Sequence, residues 1–165
     1  MNCSERLAQA ARAAVLGAAG ASIWAAAAGS AFAALGDDVS SISREAHRMN
    51  AARRAVTGPL FTVHEMRLPD GSSVRQFVAG DGTVFAVRWT TFFKPDLSTL
   101  LGTSYPAYAT AVRQRAPHAG IERQFRHEGL DLVVHSTAHL HVHSGFALRR
   151  SLLPAGVTPA QVSAS

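Results

Sequence analysis

The sequence predicts an α+β domain with a mainly antiparallel sheet of about five or six strands and two amphipathic helices, preceded by a signal peptide. Three observations carry that expectation. Short β-branched and aromatic runs are separated by turns rich in Gly and Asp. Two stretches repeat apolar residues at three- and four-residue steps. An uncharged, Ala-rich run opens the chain.

Arg6 and Arg12 form a positive start, and no charge occurs from Ala13 to Leu35. The run closes on Ala31-Phe32-Ala33, the small-x-small pattern that fits the cleft of a signal peptidase, so cleavage is expected between Ala33 and Ala34. An uncleaved anchor is the competing reading, because about 20 apolar residues span a bilayer. Gly17, Gly20, Ser22, Gly29 and Ser30 make this run only marginally apolar, and the layout favours a cleaved leader. Cleavage leaves 132 of the 165 residues and lowers the formal charge from +5 to +4. It also removes Cys3, the only cysteine, so no disulfide can form in the mature chain and packing must hold it together. Residues 34–157 are expected to form one domain, with 158–165 a flexible tail. The expected location is the periplasm or the medium, with no membrane span after cleavage.

Residues 37–57 read as an amphipathic helix, with Val39, Ile42, Ala46, Met49 and Val56 near one face and Gly58-Pro59 as the stop. Strands are expected at 60–68, 73–79 and 83–90, turning at Pro69-Asp70-Gly71 and at Gly80-Asp81-Gly82. Val74, Gln76 and Val78 share one face of the second strand; Phe85, Val87 and Trp89 share one face of the third. The first alternates poorly, with Phe61 and Val63 facing one way and Met66 and Leu68 the other. A bulge or burial on both sides would account for it.

Asp96 is placed to cap a second helix whose stripe is Leu97, Leu100, Leu101, Tyr105, Tyr108 and Val112. Pro106 inside it predicts a kink or two shorter helices. Residues 114–120 read as a loop, and Ile121 to His127 as a polar strand candidate. Leu130 to His135 and His139 to Leu148 read as strands, and an irregular tail begins at Leu153.

His139, His141 and His143 alternate with Leu140 and Val142, which on a strand would line up three imidazoles on one face. Such a face supplies most of a zinc or copper shell, with His127 or His135 as a fourth ligand. An ordinary solvated strand face uses the same alternation, and a real site usually draws a ligand from another element. Catalytic signals are sparse. No G-x-S-x-G elbow occurs, and His64-Glu65 lacks the second histidine of H-E-x-x-H because position 68 is Leu. Glu65, Asp70, Asp81, Asp96, Glu122, Glu128 and Asp131 fall at turns, caps or strand surfaces. Gly80-Asp81-Gly82 joins two strands, which favours a hairpin over a phosphate loop. Trp89, Phe92 and Phe93 suit either a ligand groove or a core edge. Arginines are scattered, with Arg53-Arg54 and Arg149-Arg150 the pairs, so nucleic acid is not an expected partner.

Several segments together resemble a known family. They are Thr62 to Glu65, Pro69-Asp70-Gly71, Val74 to Val78, Gly82 to Trp89, Pro95-Asp96-Leu97 with Leu100-Leu101-Gly102, Asp131 to Ser136, and Leu152 to Val157. In this order, after a leader ending near Ala34-Leu35-Gly36, they look like the bacterial family catalogued as domain of unknown function number 2844. The resemblance implies a small exported protein of a Gram-negative bacterium, with no activity, cofactor or binding residues to carry over. It also marks the histidine run and Pro106 as departures from the family's pattern.

The expected function is therefore a non-enzymatic periplasmic or secreted binding or accessory module, acting on an envelope component or a protein partner, without a cofactor and with no assigned catalytic or metal residues. A zinc or copper protein using His139, His141 and His143, and a small hydrolase with a dispersed site, are the alternatives.

Overall fold

The computed structural model describes residues 34–115 and 123–164. The expected leader and its cleavage site, and most of the expected 114–120 loop, lie outside them. The described chain runs α1 (Ser40–Arg48), β1 (Ala52–Thr57), β2 (Thr62–Arg67), β3 (Ser73–Val78), β4 (Val84–Thr91), α2 (Leu97–Leu101), α3 (Tyr105–Gln114), β5 (Gln124–Glu128), β6 (Leu132–His139), β7 (Val142–Arg149) and α4 (Pro159–Ala164). All seven strands join one sheet in the order β1-β2-β3-β4-β7-β6-β5, and every pairing is antiparallel. Four strands meander, α2 and α3 carry the chain to the far edge, and β5 to β7 meander back to close on β4.

The seventh strand comes from the segment expected to be helical through residue 57. That helix stops at Arg48, because Asn50 takes a positive φ of 49°. The Ala51 N–H then donates to the Ala46 carbonyl at 2.9 Å and the Asn50 N–H to that of His47 at 3.3 Å. This pair of bonds is a Schellman ending, which satisfies the last carbonyls and turns the chain out of the helix. Ala52–Thr57 emerges as the exposed edge strand β1, paired residue for residue with β2.

The two tight turns form as expected and by the same means. In each, an Asp carboxylate accepts the backbone N–H two residues on, Asp70 from Ser72 and Asp81 from Thr83, both at 2.9 Å. The intervening Gly71 and Gly82 have φ of 86° and 87°, a conformation that costs Gly nothing sterically.

One face of the sheet is covered by α1 and α2. Leu35, Ile42, Leu100 and Leu101 pack there on Met66, Val74, Val87 and Trp89. The other face is covered at one end by the C-terminal segment, where Val157 and Val162 pack on Phe77, Phe85, Ala86 and Leu148. The expected loose tail is thus partly helical, and Val162 of α4 is fully buried. Burial on both sides explains the poor alternation of β2: its register with β3 is regular, Met66 entering the first core while Phe61 and Val63 pack against the second. The bulge lies in β4 instead. Phe77 pairs with Ala86 and Val78 with Val84, leaving Phe85 as the extra residue. Phe85 therefore joins the second core, while Val87 and Trp89 enter the first, so the expected common face of these three is overturned.

Asp96 caps α2, accepting from the Ser98 N–H at 3.0 Å. Pro106 sits in the first turn of α3, where its missing N–H is no loss, so two helices replace one kinked helix. Among the described residues no helix is long and apolar enough to cross a membrane.

Candidate functional site

The apolar stripe of the second helical segment outlasts its core contacts. Leu100 and Leu101 are buried, but Tyr105 and Val112 remain exposed on α3. Opposite them the sheet presents Trp89, Phe125 and Ser136, and an open cleft of about 790 Å³ lies between. Trp89 forms its floor and is 1% exposed. Tyr105, Tyr108 and Phe125 line it as an aromatic run. The two Tyr rings are 5.9 Å apart, and Tyr108 meets Phe125 edge-on at 5.1 Å. The Arg115 guanidinium stands 5.6 Å from the Phe125 ring centre, within cation–π range. Burial, reinforced by Tyr105, holds the Tyr108 phenol above its ordinary pKa.

Charge at the cleft is mainly positive. Among the described residues that line it, Lys94, Arg113 and Arg123 stand with one carboxylate, Asp96. Both oxygens of Asp96 are engaged by Ser98 and Thr99, which hold its pKa below the usual carboxylate range. The cleft therefore offers an apolar interior with a cationic mouth, a combination suited to a ligand with an apolar body and an anionic end. Of the expected aromatic trio only Trp89 contributes. Phe92 and Phe93 are exposed beyond the strand end, and Phe92 lies against Gly71 of the β2–β3 turn.

The histidine run does not form a strand face. His139 ends β6, Leu140 and His141 make the turn, and His143 belongs to β7. Leu140, expected on the buried side, is 86% exposed with φ 54°. His135 packs on Phe146 at 4.8 Å with its Nε2 3.2 Å from Glu128, whereas His127 lies on β5 opposite Val134. Among the described residues no three His, Cys, Asp or Glu side chains are placed to hold a metal ion. The carboxylates mostly serve structure. Asp131 accepts the Ser151 N–H and the Arg149 guanidinium, each at 2.8 Å, and these bonds hold its pKa down. Ser98, Ser136, Asp96 and His143 all reach the cleft, yet among the described residues no hydrogen bond joins His143 to a serine.

The family described as protein of unknown function DUF2844 matches residues 31–162, which takes in every element of the sheet and all but the end of α4. The chain belongs to that family. No curated protein and no solved structure matches it. The match embraces both walls of the cleft. The residues that build it were not singled out as a group by the sequence, because Tyr108 and Phe125 are separated by the whole crossover between helix and sheet. The legible signs were Trp89 as a groove candidate and a stripe that kept its apolar spacing as far as Val112.

Proposed function

We propose that this protein is an exported, non-enzymatic binding module that takes a small amphiphilic anion in the cleft between α3 and the sheet. The carrying observation is the aromatic run of Tyr105, Tyr108 and Phe125 beneath a mouth bearing Lys94, Arg113 and Arg123. Export rests on the uncharged run ending at Ala31-Phe32-Ala33. Periplasmic or secreted placement suits a carrier or accessory role towards an envelope component.

Two measurements test this. In the mature chain beginning at Ala34, Trp89 is the sole tryptophan, so energy transfer from Trp89 to the aromatic sulfonate 8-anilinonaphthalene-1-sulfonate reads out binding at the cleft floor. Saturable one-site binding, lost on Arg113→Glu/Arg123→Glu, is expected; binding that survives the double substitution sinks the cleft reading. A phosphatase that is active only outside the cytoplasm, fused after residue 33, should be active. A mature N-terminus other than Ala34 would move the cleavage site.

A further inference from the structure

Among the described residues the second sheet face is covered only at one end, and its register sets a charged row across the remainder. From β1 the row runs Arg54, Glu65, Arg75 and Arg88, each the cross-strand partner of the one before. It continues over β7, β6 and β5 as Phe146, His135 and Arg126. Six inter-strand steps of about 4.8 Å make this row roughly 29 Å long. The adjoining row is built of small hydroxyls, Ser73, Thr90, Ser144 and Thr137, with Arg67 beside Ser73.

Four of the five guanidinium groups, those of Arg67, Arg75, Arg88 and Arg126, are held in place. Glu65 Oε1 pairs with Arg67 at 3.2 Å and with Arg75 at 3.4 Å. Glu128 pairs with Arg126 and lies 3.2 Å from His135. Arg88 donates to the Ser163 carbonyl at the end of α4, which fixes it at the border between the covered and open parts of the face. Among the described residues on this part of the face, Arg54, Arg67, Arg75, Arg88 and Arg126 outnumber Glu65 and Glu128, which gives it a positive excess.

We propose that this open face binds an acidic polysaccharide, laid along the row from β1 to β5. Arginine forks recognise carboxylates through paired hydrogen bonds, and side chains already positioned lose less entropy in doing so. The hydroxyl row complements sugar hydroxyls, and the half-buried Phe146 ring, backed by His135 at 4.8 Å, offers an apolar patch for the C–H face of a sugar ring. Single-stranded nucleic acid needs successive aromatic platforms, and this row has one. Membrane surfaces are gripped by several apolar side chains entering the acyl boundary, and the two open rows hold one apolar side chain, the half-buried Phe146.

The test is binding of the full chain to polygalacturonate, with its methyl ester, single-stranded DNA and phosphatidylglycerol vesicles in parallel at one salt concentration. Polygalacturonate should bind and the uncharged ester should not. Arg54→Gln and Arg126→Gln, both on exposed edge strands, should each weaken binding about tenfold, the equivalent of one charge-assisted contact. Phe146→Ala should weaken it as well, with thermal melts confirming that each variant is folded. Failure to bind polygalacturonate, unchanged affinity in folded Arg54→Gln/Arg126→Gln, or equally tight binding of DNA or vesicles would overturn the proposal. The cleft variant Arg113→Glu/Arg123→Glu separates this face from the cleft.

Discussion

Trp89 of β4 lies across its cross-strand partner Gly145 of β7, in space that any side chain at 145 would fill. A Cβ there would come 2.5 Å from the indole and 2.4 Å from the His135 carbonyl. The bare backbone of β7 is thus what lets the indole form the floor of the cleft. Gly145→Ala is expected to destabilise the protein by about 1–3 kcal/mol, as overpacking does. Urea unfolding followed by Trp fluorescence checks this, and an unchanged midpoint would contradict it.

His64 is 7% exposed, and its Nδ1 has no hydrogen-bond partner. Burial, aided by the Arg53 guanidinium, holds its pKa below the ordinary imidazole value. The unfolded chain therefore binds the proton at higher pH than the folded one does. The stability gained by keeping His64 neutral is full above about pH 6.5 and is lost as the pH falls through the lowered folded value. Denaturation at a series of pH values should show wild type losing stability relative to His64→Leu as the pH drops from about 7 to about 5. Parallel profiles would disprove the assignment.

Leu140 occupies a hairpin position with φ 54° while its side chain stands in solvent. Left-handed backbone costs a β-carbon residue about 1–2 kcal/mol, and Gly avoids it. Leu140→Gly is expected to stabilise by up to about 1 kcal/mol once the added freedom of the unfolded chain is counted. A lower midpoint in chemical denaturation would refute this.

At the Schellman ending of α1, Asn50→Gly should be neutral or mildly stabilising, and Asn50→Val should cost about 1–2 kcal/mol because a branched residue resists positive φ. Thermal melts of the two variants distinguish this local ending from a helix that simply runs out of packing.

Much of the sheet was legible locally. The Pro69-Asp70-Gly71 and Gly80-Asp81-Gly82 turns form because each Asp closes its own loop and the Gly after it takes a positive φ, both properties of neighbouring residues. The Asp96 cap and the helix break at Pro106 are local in the same way. The misread segments are those where no local chemistry chooses. Val39, Ile42 and Ala46 have true helical spacing, but Val56 matches it by coincidence, and only hydrogen bonding to β2 makes 52–57 a strand. The histidine alternation continues through a turn that has neither Gly nor Asn to mark it.

The sequence alone determined the strand-rich class, the paired turns, the helix cap and the family pattern, since these depend on contacts within a few residues. Tertiary structure decided the edge strand, the face of Phe85, the docking of Val162 and both candidate binding surfaces. Tyr108 meets Phe125 in the cleft, and Arg54 lines up with Arg126 across seven strands, only because the crossover brings distant segments into one sheet. Such pairings arise when apolar surface is buried between elements, and no spacing along the chain records them.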